Sequence, residues 1–304
     1  MINPKQQSHI GKVLAPTVRT RQLPNATLRK TYERLFTGGQ RLGRFRRFRQ
    51  LYSYWRRRSQ PTAAEPLAYT QPTTLQTIAT ADMLAATQQE GVAFGLQIPL
   101  DVVDTIYAYA CQQECFEPNY EPMFKVSSLD RAGYLLDGHQ PVRALVAEPT
   151  KCPEIDQLSQ DPILLGLARG YLGYVPDRIS CHLTWSLQTR QPLTAIQKQY
   201  PPTNYHYDIA GYNFVTAYFY MTPVLSLEAG PHIMLRRSHN SKPWWMLLRS
   251  CRQDAAVLYQ HYGQDSELTI LGQAGFGFFQ DPSCFHRVYP PSQNHRLLLQ
   301  FRYA

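Results

Sequence analysis

Two apolar runs close this chain: Phe278-Phe279-Gln280-Asp281-Pro282-Ser283-Cys284-Phe285-His286 and, ten residues on, Arg296-Leu297-Leu298-Leu299-Gln300-Phe301-Arg302-Tyr303. The first reads as a strand broken by Asp281-Pro282, after which the turn delivers a histidine. The second is a strand that opens on an arginine. Working upstream, further runs rich in β-branched and aromatic residues predict strands over 276–280, 232–235, 213–221 and 179–187, with Gly, Pro and Asn between them. Before residue 179 the texture is helical. The spacing predicts helices over 74–89, from Pro99 through Val102, Val103, Ile106 and Tyr107, and over 158–172, with an apolar strand at 91–94. Helices first and strands later imply an α+β domain built on an antiparallel sandwich or barrel.

The segment Asn204-Tyr205-His206-Tyr207-Asp208 stands just before the strand expected over 213–221. In extended chain, residues two apart project from the same face, so His206 and Asp208 can bind one metal ion together. Such a tripeptide arises often by chance. The distal His286 and Arg296 change its weight, because two histidines and one carboxylate on one face of an octahedral ion leave three positions open. That is the expected geometry of non-heme iron(II) oxygenases, and the same ligands also suit zinc. A 2-oxoglutarate molecule and O₂ would take the open positions, and a guanidinium such as Arg296 can grip the remote carboxylate with two parallel hydrogen bonds.

From Tyr205 to Tyr303 the sequence resembles the phytanoyl-CoA dioxygenase-like family of iron(II)/2-oxoglutarate oxygenases. The residues that carry the resemblance are His206-Tyr207-Asp208, the apolar run from Phe214 to Met221, Gly230-Pro231, Ser238-His239, His286 and Arg296. Upstream, Glu90-Gly91-Val92-Ala93-Phe94 followed by the stretch from Leu96 to Val103 is similar to the family's opening strand and helix, so the likeness covers roughly residues 75–304. Arg237 stands where the family usually has a glycine before Ser-His. The resemblance implies a double-stranded β-helix (jelly-roll, cupin-like) core with flanking N-terminal helices. It also implies Fe(II) on His206, Asp208 and His286, 2-oxoglutarate as co-substrate on Arg296, and O₂. Because an aspartate is present at 208, the family logic points to hydroxylation or a related C–H oxidation rather than halogenation.

His182 and Thr184 lie on the strand where relatives often place groups that touch the co-substrate, and Thr216 and Tyr218 lie on the strand after Asp208. Trp185 is expected to pack in the core, and His239 to shape the turn after Gly230-Pro231. The polar segment 188–204, with Arg190, Lys198, Tyr200, Pro201 and Pro202, reads either as a substrate lid or as a plain connection. Two adjacent tryptophans, Trp244 and Trp245, cannot both face one core, so one is expected at the substrate entrance or an interface.

Charge divides the chain. Residues 1–60 hold fifteen of the 31 Lys/Arg and one of the 22 Asp/Glu, a net of +14, which leaves −5 for the rest of the +9 chain. The expected organisation is a basic, aromatic arm over 1–60 (flexible or an amphipathic helix), a Pro/Ala/Thr linker over 61–72 and the oxygenase domain over 73–304. Phe45, Phe48, Tyr52 and Trp55 fall at helical spacing along one side of the arm. The basic arm fits an anionic membrane surface best, through residues 30–58, with a disordered solubilising tail, an organellar targeting peptide and nucleic acid or another polyanion as the other readings. No run is long and apolar enough to span a bilayer. The six cysteines (Cys111, Cys115, Cys152, Cys181, Cys251, Cys284) form no C-x-x-C pair, which predicts reduced thiols in a cytoplasmic protein, peripheral to a membrane if the arm binds one. The substrate expected is a small or lipid-like molecule. A rival expectation is a non-catalytic metal-binding protein of the same fold, tethered by its arm to a membrane or polyanion.

Overall fold

The computed structural model describes residues 41–60, 73–77, 79–248 and 250–304. The expected linker over 61–72 and the first forty residues of the arm lie outside them. The strands are β1 (Gln76–Thr77), β2 (Val92–Gln97), β3 (Cys115–Glu117), β4 (Tyr120–Phe124), β5 (Arg143–Val146), β6 (Ile179–Ser186), β7 (Val215–Tyr220), β8 (His232–Leu235), β9 (Glu267–Ile270), β10 (Phe276–Gln280), β11 (His286–Val288) and β12 (Arg296–Tyr303). They form a large antiparallel sheet in the order β1-β2-β10-β7-β12-β6-β5-β3-β4 and a small one in the order β11-β8-β9. This mixed helix and antiparallel-sheet arrangement is consistent with the double-stranded β-helix expected from the sequence.

The large sheet buries both faces, and its strands sort their side chains by parity. Leu297, Leu299, Phe301 and Tyr303 of β12 join Val215, Ala217 and Phe219 of β7 and Leu183 and Trp185 of β6 in one core, packed under the helices. The opposite parity supplies Tyr218, Tyr220, Phe278 and Leu298, which meet Met234 and Ile270 of the small sheet. The period of two in each strand therefore divides a helix-covered apolar face from an interior shared by the two sheets.

Helices are α1 (Arg46–Ser59), α2 (Thr80–Glu90), α3 (Leu100–Gln112), α4 (Pro153–Ser159) and α5 (Pro162–Leu172), with shorter ones later in the chain. The helix expected over 74–89 begins later, because Gln76 and Thr77 pair instead with Gln97 and Leu96 on the edge of the sheet. It ends on Gly91, whose φ of +85° is the left-handed cap that glycine adopts without strain. The helix expected over 158–172 is two. A residue before proline avoids the α conformation, and the Asp161 side chain accepts from the Ile163 backbone N–H at 2.9 Å, starting a new helix at Pro162. Arg237 takes a φ of +64°, a left-handed conformation that favours glycine. Its backbone N–H donates to the Glu90 carbonyl at 2.8 Å and its guanidinium forks onto the Glu90 carboxylate.

Helix α1 packs on the body. Its Tyr52 ring meets Tyr212 at 5.0 Å and Tyr174 edge-on at 5.8 Å, and Phe48 meets Tyr212 at 5.7 Å. The aromatic side predicted for this helix is thus divided, with Phe48 and Tyr52 against the body and Trp55 at 62% exposure facing outward.

Candidate metal centre

His206 lies outside the named strands, yet it extends the small sheet. Its backbone N–H donates to the His286 carbonyl at 2.9 Å and the His286 N–H returns to the His206 carbonyl at 2.8 Å. This reciprocal pair sets the two imidazoles side by side, ring centres 4.4 Å apart. Asp208, two residues on, points the same way. One ligand atom from each of His206, Asp208 and His286 lies within 4.8 Å of the others, with His206 Nε2 3.7 Å from Asp208 Oδ1. Adjacent ligands at about 2.1 Å from one ion sit about 3 Å apart, so a small closing motion is enough for coordination.

The ring nitrogens are already sorted. His206 Nδ1 lies 2.9 Å from the Asn204 carbonyl and His286 Nδ1 lies 2.9 Å from the Cys284 carbonyl. A carbonyl only accepts, so each Nδ1 carries the hydrogen and each Nε2 keeps its lone pair for a metal. Burial, reinforced by the charge on His206, pushes His286 down to about 4 against the opposing pull of Asp208, so its imidazole is neutral at physiological pH. Burial raises the Asp208 carboxyl, but Arg302, His286 and His206 outweigh it and hold the group below its ordinary value. Arg302 Nη2 sits 2.5 Å from Asp208 Oδ2, leaving Oδ1 toward His206.

Arg296 is 1% exposed at the start of β12. It donates to the Gly230 carbonyl at 2.6 Å and to Ser186 Oγ at 2.7 Å, while its Nε has no partner. No carboxylate pairs with it among the described residues, and burial lowers its affinity for the proton. A fully buried guanidinium without an acid is costly unless an anion completes it. Between Arg296 and the triad stands His232, whose ring stacks on His286 at 5.1 Å. Burial drives it well below its ordinary pKa, aided by the charges of His286, Arg296 and His206.

The expected co-substrate residues share this interior. His182 and Thr184 lie on the β6 parity of Ser186, opposite the core residue Trp185, and Thr216 lies on the β7 parity of Tyr218. Cross-strand pairing aligns Thr216 with Arg302 on one side and Gln280 on the other. Among the described residues, neither the Thr216 hydroxyl nor the Gln280 amide makes a well-formed hydrogen bond, the first lying beside Tyr218 and the second beside His232. His239 contacts the Gln88 carbonyl at 3.1 Å and Cys284 Sγ at 3.3 Å, away from the triad. The segment 188–204 folds into the helix Leu193–Gln199 and a turn, with Ile196 and Tyr200 packed against Val142 and Val288. Trp244 is exposed and Trp245 packs beside the cluster of Tyr205, Tyr207 and Phe285.

Sequence reasoning missed Arg302, Ser186, Gln280 and His232. The first two carried a usable signal, since the two-residue period that faces Arg296 inward also turns Arg302 inward, and Ser186 follows His182 and Thr184 at the same period. Gln280 and His232 belong to no motif.

Neither a protein-family model nor a curated protein sequence matches the chain. Solved structures do share its fold. One is the non-heme alpha ketoglutarate dependent epimerase SnoN from nogalamycin biosynthesis, at 16% identity and a TM-score of 0.50, over 74% of this chain and 82% of that one. Another is the non-heme alpha ketoglutarate dependent carbocyclase SnoK from the same biosynthesis, at 17% identity and a TM-score of 0.50, over 75% of this chain and 86% of that one.

Proposed function

We propose that this chain is an Fe(II)- and 2-oxoglutarate-dependent dioxygenase that hydroxylates a C–H bond of a small or lipid-like substrate. The observation that carries the reading is a preformed His206-Asp208-His286 cluster in the same interior as Arg296, a buried cation with no acid partner among the described residues. Two of the solved structures that share this fold are named for alpha ketoglutarate dependence, one as an epimerase and one as a carbocyclase. The fold is therefore compatible with more than one outcome at the substrate carbon, and hydroxylation rests on the residues at the site.

The chemistry an iron(II) ion supplies there is oxidation of a C–H bond by O₂, coupled to conversion of 2-oxoglutarate to succinate and CO₂. The chain's own residues provide the rest. His206, Asp208 and His286 would hold the ion by one face, and the Asn204 and Cys284 carbonyls fix the histidine tautomers. Arg296, oriented by Ser186 and Gly230, would bind the distal carboxylate of the co-substrate. Tyr218, Phe278, Leu298 and Met234 form an apolar cluster beside these polar groups and limit the access of water. The test is anaerobic addition of Fe(II) and 2-oxoglutarate. A visible charge-transfer band in the wild type that is lost in His206→Ala, and succinate formation once O₂ is admitted, are expected. No band and no succinate would reject the assignment.

The outward side of α1 favours approach to an anionic lipid surface. Arg47, Leu51, Tyr54, Trp55 and Arg58 are exposed and fall on one side at helical spacing, with the Arg58 guanidinium 4.9 Å from the Tyr54 ring centre. Cosedimentation of the full chain with phosphatidylserine vesicles, weakened in an Arg47→Gln/Arg58→Gln variant, is the expected result. Equal sedimentation would remove the membrane from the proposal.

A further inference from the structure

Helix α1 reaches the interior through one side chain. Arg49 is 7% exposed and bonds to four residues of the body. Its Nε donates to Asn213 Oδ1 at 2.7 Å, Nη1 to Ser283 Oγ at 2.6 Å and to Asp281 Oδ1 at 3.1 Å, and Nη2 to the Phe214 carbonyl at 3.2 Å. Asp281 Oδ2 also lies 2.9 Å from the guanidinium.

These four partners belong to two segments with a common property. Asn213 and Phe214 end the connection that leaves Asp208 and enters β7, whereas Asp281 and Ser283 begin the turn that delivers His286. The two segments already meet in the backbone, where the Asp208 N–H donates to the Pro282 carbonyl at 2.9 Å and His206 and His286 exchange a pair of hydrogen bonds. Asp281 accepts from the Ser283 backbone N–H at 2.9 Å and from the Tyr171 hydroxyl, and its own N–H reaches the Gly91 carbonyl at 2.9 Å, but none of these contacts touches the Asp208 side. Arg49 touches both. Burial opposes charge on Asp281, yet the Arg49 guanidinium holds that carboxyl well below its ordinary range, so the pair stays ionised in the interior.

From this geometry we infer that Arg49 is a positioning residue of the metal centre, and that docking of α1 braces, through side chains, the segments carrying Asp208 and His286 that the backbone bonds bring together. The inference rests on the proposed metal reading of His206, Asp208 and His286, and it gives the basic N-terminal segment a task within the site. Coupling of this kind is reciprocal: if α1 docking tightens metal binding by some factor, metal binding must stabilise docking by the same factor.

The test is anaerobic Co(II) titration of the full chain against a competing chelator, with hydrogen exchange of α1 amides measured with and without Co(II). Wild type is expected to bind Co(II) with a ligand-field absorption band that His206→Ala abolishes. Loss of an outer support to a metal ligand typically weakens affinity by roughly 10- to 100-fold, so Arg49→Gln should fall in that range with an altered band. Arg49→Lys should fall between it and wild type, and Arg46→Gln, at an exposed arginine of the same helix, should match wild type. Co(II) should slow α1 exchange in wild type and leave it unchanged in His206→Ala. Should Arg49→Gln fail to fold, Asn213→Ala and Ser283→Ala each remove one contact and should each cost several-fold in affinity. A folded Arg49→Gln with wild-type affinity and band would overturn the inference. So would wild-type affinity in both single-contact variants, or α1 exchange indifferent to Co(II) in wild type. A wild type that binds no Co(II) refutes the metal reading itself, a distinct failure.

Discussion

Replacing Arg296 with methionine keeps an unbranched stem and removes the charge, and the structure predicts opposite consequences for folding and for ligand binding. Without an anion, Arg296 gains two hydrogen bonds, to Gly230 and Ser186, worth about 3–6 kcal/mol together for a charged donor. Against this stands the cost of burying an ion with no counter-charge, several kcal/mol. The two nearly cancel, so Arg296→Met should change unfolding free energy by no more than about 2 kcal/mol in the absence of co-substrate. With 2-oxoglutarate bound, the guanidinium would add a two-pronged contact to the distal carboxylate, worth about 4 kcal/mol or roughly 1000-fold in affinity. The assay is anaerobic titration of Mn(II)-loaded protein with 2-oxoglutarate, followed by tryptophan fluorescence, beside urea denaturation of the apoprotein. Pyruvate, which lacks the distal carboxylate, completes a double-difference cycle. Wild type should prefer 2-oxoglutarate strongly and Arg296→Met should bind both about equally. A variant that keeps 2-oxoglutarate affinity within tenfold of wild type would show that Arg296 does not hold the carboxylate. A loss of more than about 4 kcal/mol of apoprotein stability would show that its two neutral acceptors already satisfy it.

Further outcomes follow from other parts of the interior. Burial and the Arg302 charge hold His182 at about 4, below the ordinary 6.5, with Asp208 opposing. The unfolded chain therefore takes up a proton before the native state does, so apoprotein stability should fall as pH drops from 6.5 toward 4, by up to about 3 kcal/mol from this group. Urea midpoints measured across that window should show the slope, and His182→Asn should flatten it. Arg302→Leu removes the partner of a partly buried Asp208, which should destabilise the apoprotein by about 2 kcal/mol. A bound divalent ion would replace the missing charge, so Co(II) should bind the variant more tightly, by up to about 30-fold, and weaker binding would contradict the pairing. At Gly91, an added Cβ would lie 2.3 Å from Cys284 Sγ and 2.9 Å from His239 Nδ1 on a backbone with φ of +85°. Gly91→Ala should cost about 2–5 kcal/mol in urea unfolding, and a change below 1 kcal/mol would mean that the Cys284 turn yields freely.

The strands that were expected proved legible for a physical reason, whereas the short β1, β3, β4, β5, β9 and β11 were not anticipated. The runs at 232–235, 276–280 and 296–303 each follow a Pro, Gly or Asn within two residues and matched their observed limits. Helix limits depended on tertiary competition. Gln76 and Thr77 had a helical pattern but were taken by the edge of β2, and the break at Asp161-Pro162 followed a local cap that apolar periodicity does not register. Helix α1 was anticipated as a helix from the spacing of its aromatics, but its attachment through Arg49 was not, since Arg49 looks like any other residue in a run of arginines. Only the partners at 213, 214, 281 and 283, some 160 to 230 residues away, distinguish it.

The interior itself argues that folding stability did not choose its residues. On β7, Val215, Ala217 and Phe219 fill the helix-covered face with apolar groups, while the other parity offers Thr216, whose hydroxyl makes no well-formed hydrogen bond. On β10 the same alternation sets Phe279 in the core and Gln280, whose amide makes none either, in the interior. On β12, Leu297 and Leu299 lie on one side and Arg296, buried without an acid partner among the described residues, on the other. Each unsatisfied group costs about 1–3 kcal/mol on burial, and apolar residues of similar size would relieve it. The same strands show how readily apolar residues are accommodated one position away. Such costs gathered on one face, around the His206-Asp208-His286 cluster, are what the proposed metal and co-substrate site would require.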